Sequence, residues 1–254
     1  MTLLVHLIYL VPIVAALGIL LGLPARNTAV AGSVVALLSA LLVFLGYDHG
    51  AGGYQFQSAI HLWKEWDLRF AMGVDGLSAT LLLLTAIVGL GAVWLSPKQE
   101  ERDNWYYASV LFIAGGAAGA FASLDLFFFY AFHELALIPT FIMIGVWGSG
   151  NRQAAAWKIT IYLSIGSIIL LIGLIGLYLL PPVDVRTFDI VKLQQLATSG
   201  VFDGPGSKSV YLLLLIGFGI LVSLWPFHTW APLGYSAAPT PTAMLHAGVL
   251  KKFG

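Results

Sequence analysis

Long apolar runs separated by short polar segments dominate the 254-residue chain. The hydrocarbon core of a bilayer is about 30 Å thick, so a spanning helix needs roughly 20 apolar residues. This pattern predicts seven spans, at residues 2–23, 28–46, 77–96, 105–122, 124–147, 155–180 and 209–225. An eighth span begins near Pro239. Pro226 and Pro232 cannot both lie in one uninterrupted helix, so we expect the seventh span to be broken there. The predicted fold class is therefore all-α, a polytopic transmembrane helix bundle of seven or eight spans.

Composition agrees with this pattern and removes several classes of function. Hydrophobic residues make up 59% of the chain and charged residues 9%, whereas soluble domains carry about 25% charged residues. The net charge is zero, so nothing indicates a nucleic-acid partner, and the lipid bilayer is the expected surrounding. With no cysteine in the sequence, this chain can hold neither a disulfide nor a cysteine-ligated iron–sulfur cluster.

Two segments between the predicted spans are long enough to have structure of their own. Residues 47–76 contain tryptophans and charges at 61–67, a composition that suits the headgroup interface. At the end of this segment, Asp75 and Ser78 are typical of a helix start. The second segment carries a short amphipathic stretch at 191–196.

The ends of the chain and its short loops give two further expectations. The last residues, 247–254, stop inside an apolar helix, which leads us to expect a fragment or a split gene product. Basic residues in the short loops after spans one, three and five favour an N-terminus outside the cytoplasm; they are Arg26, Lys98, Arg102 and Arg152.

Glu134 is the main candidate for chemistry. It lies near the middle of the fifth span, where a charged side chain costs several kcal/mol and indicates a functional site. Desolvation favours its protonated form, and a cationic neighbour would favour the ionised form. A carboxyl group balanced between these states can relay protons. The alternative is a glutamate that only joins two helices by hydrogen bonds.

Three other ionisable residues could take part in the relay or supply the charge that pairs with Glu134. Lys158, near the start of span six, could supply the cation or could extend to the interface. His228 lies in the predicted break, where it could transfer protons or only cap freed backbone groups. Lys252 could be a relay residue, or the lysine pair near the end of the chain could simply be solvated. Because Lys251 and Lys252 are adjacent, their side chains point about 100° apart and cannot both face one path.

Other features of the sequence point to packing rather than to cofactors. His133 lies beside Glu134 on a different helix face and is a weak relay candidate. The glycine-rich run at 114–120 allows close helix approach in span four and is not a phosphate-binding loop. The six histidines are scattered, without the spacing expected for haem or zinc, and we expect no redox cofactor in this chain.

Four segments together resemble a known family. The chain is similar to subunit M (chain 4) of respiratory complex I, one of the antiporter-like NADH–quinone oxidoreductase membrane subunits. The resemblance covers most of the chain from about residue 70 and is carried by residues 73–78, 127–148, 152–178 and 225–254. It implies that Glu134 is the family's helix-five glutamate, His228 its Pro-Phe-His histidine and Lys252 its helix-eight lysine.

The chain departs from this family at the partner of the glutamate. Leu221 occupies the position of the family's helix-seven lysine, and Ser223 that of the proline two residues later. Either Lys158, or Lys251 or Lys252, then supplies the cation, or the subunit conducts by a modified route.

The resemblance also implies a domain organisation and a setting. Residues 1–100 would form helices 1–3, and residues 101–254 the first inverted repeat of an antiporter-like fold, truncated in its last helix. The implied function is proton translocation coupled to electron transfer from NADH to quinone, in a bacterial inner (cell) membrane. NADH, FMN, iron–sulfur clusters and quinone would be bound by partner subunits of complex I. The alternatives are a subunit of a multisubunit sodium/proton antiporter or membrane-bound hydrogenase, and a scaffold subunit that does not conduct.

Overall fold

The structure is a computed structural model that describes residues 1–97, 99 and 102–253. Within these residues, six helices are long and apolar enough to cross a membrane. They are α1 (Thr2–Leu20), α2 (Ala25–Gly46), α3 (Gly76–Leu95), α4 (Asp103–Ala122), α5 (Leu126–Trp147) and α6 (Arg152–Leu179). Each falls on a predicted span. The predicted loop position of Lys98 and the last residue of the predicted eighth helix, Gly254, lie outside the described residues.

The second half of the chain contains four shorter helices, and the predicted break is confirmed. They are α7 (Ile190–Thr198), α8 (Ser207–Leu221), α9 (Trp230–Ala237) and α10 (Thr240–Gly248). The seventh span ends at Leu221, and the chain resumes through a 3₁₀ turn at Phe227–Thr229. Pro232 then lies in the first turn of α9, where its missing N–H breaks no helical hydrogen bond.

Helix α4 is the centre of the bundle, and its glycines set how closely its neighbours approach. It is the most buried of the six long helices and packs against α1, α3 and α5. A Cβ atom on Gly116 would lie 2.8 Å from the carbonyl oxygen of Phe132 and 3.0 Å from the amide nitrogen of Ala136, both in α5. The glycine-rich run is therefore a packing device, as its sequence indicates.

A β-hairpin, which the sequence analysis treated only as an interfacial loop, connects α2 to α3. Strands β1 (Gln55–Trp63) and β2 (Leu68–Val74) pair in antiparallel fashion. The turn contains the predicted tryptophans, and Trp63 and Trp66 stack with ring centroids 5.2 Å apart. After the hairpin, Asp75 and Ser78 form the capping box expected at the start of α3.

Backbone hydrogen bonds join the hairpin to two other loops on the same face of the bundle. The amide of Leu124 donates to the carbonyl of Ala71 at 2.9 Å, which adds the start of α5 to the edge of β2. The amide of Ile190 donates in turn to the carbonyl of Leu124 at 2.9 Å. The amphipathic stretch predicted at 191–196 lies in α7, which is thereby held against the start of α5.

We call this surface the hairpin face and define it as residues 55–74, 123–125 and 187–198. Ion pairs between charged side chains stabilise it. Arg69 pairs with Asp67 at 3.4 Å and also with Asp189, and Lys192 pairs with Asp67 at 2.8 Å. Burial alone would raise the pKa of Asp67, but hydrogen bonds from Lys192 and Thr187 and the charge of Arg69 outweigh it and lower that pKa.

Candidate functional site

Glu134 lies in the middle of α5 and is held by neutral hydrogen-bonding groups. The hydroxyl of Ser167, a buried residue of α6, donates to its carboxylate. The Ser167 oxygen also lies 3.0 Å from the hydroxyl oxygen of Tyr130, one helical turn before Glu134. The Nδ1 atom of His133 is 3.5 Å from the same carboxylate oxygen, Glu134 Oε1. Two helices thus place three polar side chains around one carboxylate.

The carboxylate faces a groove between α5 and α6. This groove has a volume of about 140 Å³, and its polar wall is Glu134, Thr160 and Ser164. The Glu134 side chain is 34% exposed, so it is only partly buried, whereas the neighbouring His133 is enclosed at 1%. Glu134 therefore borders the groove and also contacts an enclosed histidine.

Lys158 does not meet Glu134 in this structure. It is half-buried in α6, nine residues before Ser167, which corresponds to about 14 Å along the helix axis. Nine residues also amount to about 900° of rotation, so the two side chains leave opposite sides of α6. Within the described part of the chain, Lys158 has no carboxylate oxygen within 4 Å.

His228 and Leu221 lie on either side of the helix break. His228 is exposed in the 3₁₀ turn, next to Thr229, whose hydroxyl oxygen is 2.9 Å from that of Tyr162 in α6. Leu221 is buried in the apolar cluster that also contains Leu163. At the position of the family's helix-seven lysine, this chain therefore has an apolar side chain in apolar surroundings.

The two adjacent lysines after α10 point to different places, as their spacing predicts. Lys252 is exposed and lines a groove at the hairpin face with Tyr54 and Asp75. Lys251 turns inward, with its Nζ atom 4.8 Å from the centre of the Tyr235 ring and 5.5 Å from the centre of the Trp230 ring. The resemblance points to Lys252, but the lysine that faces the bundle interior is Lys251.

His246 is an interior ionisable residue that the sequence analysis missed. It lies in α10 and is only 2% exposed, with its ring 6.0 Å from the rings of both Trp230 and Tyr235. The signal was available, because a histidine inside an apolar predicted span is costly for the same reason as Glu134. The 3.5 Å approach of His133 Nδ1 to Glu134 was also not predicted from the sequence.

Comparison with known proteins gives consistent matches. A family model described as NADH:quinone oxidoreductase/Mrp antiporter, TM, matches residues 123–254. The chain is 34% identical over 228 residues to F(420)H(2) dehydrogenase subunit M of Methanosarcina mazei, covering 88% of this chain and 45% of the relative. It is 32% identical over 230 residues to NADH-quinone oxidoreductase subunit M of Rickettsia felis, covering 89% of this chain and 45% of that relative.

Among solved structures, a chain of respiratory complex I from Thermus thermophilus with bound NADH is similar, with a TM-score of 0.81 and 28% identity. That match covers 96% of this chain and 50% of the other. The chain thus spans about half the length of the relatives it matches.

Proposed function

The chain belongs to the NADH:quinone oxidoreductase/Mrp antiporter transmembrane family, and from that premise we propose that it is a proton-translocating membrane subunit of an NADH–quinone oxidoreductase in which Glu134 relays protons. Six apolar helices make it an integral membrane protein, and we place it in a bacterial cell membrane. The similarity to subunits named subunit M supports this branch of the family.

The observation that carries the proposal is the set of groups around Glu134. The carboxylate accepts a hydrogen bond from Ser167 and touches His133, but no cation locks it in the ionised form within the described residues. Neutral donors stabilise a carboxylate less than a close ion pair does, so Glu134 is not fixed in its ionised form by a permanent cation. A relay requires a group that can change its protonation state, whereas a merely structural glutamate does not.

The geometry supports a simple sequence of proton movements. A proton arriving through the groove binds Oε1 or Oε2 of Glu134. The only covalent bond that breaks in this step is the one between the proton and its donor. The proton then passes from Glu134 to Nδ1 of His133, 3.5 Å away, and Glu134 returns to its carboxylate form. Ser167 and Tyr130 hold the carboxylate in place during this exchange, because their hydroxyl groups can each donate and accept.

Electron transfer is assigned to other subunits in this proposal. We expect the flavin, the iron–sulfur clusters and the quinone site on partner subunits of the complex, and NADH as the electron donor. The relative from Methanosarcina mazei is named for a different donor, F(420)H(2). The membrane subunit therefore does not by itself determine the donor, and donor specificity must be measured on the whole complex.

The test is Glu134→Gln in the assembled complex, measured in membrane vesicles by proton uptake and electron transfer together. We expect proton uptake to fall at least about 100-fold, the usual contribution of a positioned acid–base group. Glu65→Gln is the matched control, since Glu65 is an exposed glutamate in the hairpin turn. Normal proton uptake by an assembled Glu134→Gln complex would refute the relay.

A scaffold that does not conduct is the second candidate, and Leu221 is the observation that favours it. Its apolar surroundings leave no cation where the family has a lysine. If the scaffold reading is right, Glu134→Gln will change neither proton uptake nor its ratio to electron transfer. A loss of uptake with assembly intact excludes it.

A further inference from the structure

A cavity opens at the edge of the hairpin face, where three segments of the chain meet. It has a volume of about 650 Å³ and lies between the hairpin turn, residues 183–187 and one side of α7. The hydroxyl oxygen of Tyr178, in the last turn of α6, lies 3.5 Å from the carbonyl oxygen of Trp66 in the hairpin turn. The ring of Tyr178 also stacks on that of Phe188, with centroids 4.2 Å apart. The cavity is therefore attached to the end of a membrane-spanning helix.

This cavity lies at the depth of the lipid headgroups. Arg186, which lines it, donates hydrogen bonds to the carbonyls of Leu179 and Pro181, both at 3.2 Å, and α6 ends at Leu179. The headgroup layer is only about 5–7 Å deep on each side of the hydrocarbon core, so a side chain bonded to the last turn of α6 lies within it. The exposed, stacked rings of Trp63 and Trp66 beside the cavity are typical of the same layer.

Charges of both signs line the cavity, and half of them are engaged within the chain. There are three cations and three carboxylates: Lys64, Arg186, Lys192, Glu65, Asp67 and Asp184. Asp67 and Lys192 pair with each other at 2.8 Å. The carboxylate of Glu65 accepts a hydrogen bond from the indole N–H of Trp63 at 2.7 Å. These three groups therefore hold the walls of the cavity together and are not available to a ligand.

The other three charges have no partner of opposite sign. Among the described residues, no ion pair within 4 Å includes Lys64, Arg186 or Asp184. They come from two segments, since Lys64 lies in the hairpin turn and the other two lie between α6 and α7. Two cations and one carboxylate thus face one cavity without neutralising one another.

This set of charges fits a zwitterion that carries one phosphate and one primary ammonium group. Phosphate oxygens would accept charge-assisted hydrogen bonds from Lys64 and Arg186, and Asp184 would accept a hydrogen bond from the ammonium N–H. A quaternary ammonium group has no N–H to donate. The six charges that line the cavity sum to zero, so an anionic headgroup would leave a net negative charge there. The headgroup that matches these conditions at this depth is phosphoethanolamine.

An exposed apolar ridge on α6 leads from the cavity into the hydrocarbon core. Its members recur every three or four residues and so lie on one side of the helix. We call them the α6 ridge: Ile168, Ile172, Ile175 and Leu179. The ridge is about 16 Å long, which corresponds to one leaflet, or half of a hydrocarbon core about 30 Å thick. It ends at the residue whose carbonyl binds Arg186, so an acyl chain on the ridge would place its headgroup at the cavity.

We propose that this cavity binds one phosphatidylethanolamine molecule, with Lys64 and Arg186 on the phosphate, Asp184 on the ammonium group and an acyl chain along the α6 ridge. The lipid joins the hairpin turn to the segment between α6 and α7 and so stabilises the hairpin face at the membrane surface. This site goes beyond the proton relay and does not rest on it, because none of its groups contacts Glu134.

The experiment counts the lipids bound to the purified full chain in detergent by native mass spectrometry. The protein is titrated separately with dioleoyl-phosphatidylethanolamine, dioleoyl-phosphatidylcholine and dioleoyl-phosphatidylglycerol. We expect the first molecule of phosphatidylethanolamine to bind more tightly than either of the other lipids, because it alone pairs with all three free charges. Glycerophosphoethanolamine, the same headgroup without acyl chains, should not displace it at equal concentration.

Two variants with matched controls locate the site. Lys64→Met should weaken the binding of phosphatidylethanolamine about fivefold, the usual contribution of one basic residue at a lipid surface, and Lys208→Met, at the start of α8, should not. Asp184→Asn should bring phosphatidylethanolamine and phosphatidylcholine to similar affinity, because it removes the acceptor for the ammonium N–H, and Asp203→Asn should not. All four side chains are exposed, so these variants should fold, which their unfolding midpoints without lipid will show.

Three results would overturn the proposal. The first is equal binding of the three lipids, or tighter binding of phosphatidylcholine or phosphatidylglycerol. The second is an undiminished preference for phosphatidylethanolamine in both Lys64→Met and Asp184→Asn, which would place the lipid elsewhere. The third is displacement by glycerophosphoethanolamine at equal concentration, which would exclude a contribution from the α6 ridge. None of these measurements involves proton uptake, so the lipid site and the relay at Glu134 stand or fall separately.

Discussion

The buried carboxyl group of Asp125 should make the stability of the hairpin face depend on pH. Asp125 is fully buried and caps α5 by accepting hydrogen bonds from the amides of Phe127 and Phe128 at 2.9 and 3.3 Å. Burial raises the pKa of Asp125 from 3.8 to about 6, although these amides and that of Arg69 act in the other direction, and the charge of Asp189 adds to the rise. We therefore predict that Asp125→Asn removes the loss of folding stability that the titration of Asp125 causes as pH rises from 3.8 to about 6.

The sign and size follow from linkage between protonation and folding. A carboxyl group whose pKa is raised in the folded state stabilises the fold fully below its unfolded pKa, and this stabilisation is lost as pH rises through the folded value. The window is thus from pH 3.8 to about 6. A difference of about two pH units corresponds to about 3 kcal/mol. Asp67, whose pKa is lowered, acts with the opposite sign in both proteins, so its effect cancels in the comparison.

The assay is thermal unfolding of the detergent-solubilised protein at pH 4 and pH 7, followed by tryptophan fluorescence. Between these pH values the midpoint of the wild-type protein should fall by about 6 °C or more relative to that of Asp125→Asn. Asp203→Asn is the control, because Asp203 is exposed in a loop and should leave the wild-type behaviour unchanged. Identical pH dependence in wild type and Asp125→Asn would show that Asp125 is not desolvated by the hairpin face, and the reasoning would fail.

Two other variants test the packing and the hydrogen bonds around the site. Gly116→Ala should lower the midpoint of thermal unfolding, because the added methyl group would meet the α5 backbone at 2.8 Å and overpacking costs about 1–3 kcal/mol. Gly204→Ala is the control and should leave the midpoint unchanged, because an added methyl group there would meet nothing within 4 Å. Equal midpoints for the two variants would contradict close packing of α4 against α5. Ser167→Ala should reduce proton uptake by less than Glu134→Gln, because it removes one hydrogen bond to the carboxylate, worth about 1.5–3 kcal/mol. Unchanged uptake in Ser167→Ala would show that this bond does not position Glu134.

The membrane spans and the helix break could be predicted because they depend on local properties of the chain. Span length follows from bilayer thickness, and the break follows from two prolines six residues apart. The cap at Asp75 was also predictable, since both partners lie within one helical turn. In each case, the interacting groups are close in sequence or the interaction is with lipid.

The site could be predicted only in part, because its contacts join residues that are distant in sequence. Ser167 bonds Glu134 across 33 positions, and nothing in the sequence sets the rotation of α6 relative to α5. The hairpin was missed for a similar reason: β1 does not show the strict alternation of a half-buried strand, since most of its residues are exposed. The approach of His133 to Glu134 was not predicted either, because adjacent helical residues leave the helix about 100° apart and only their side-chain conformations bring the two groups within 3.5 Å.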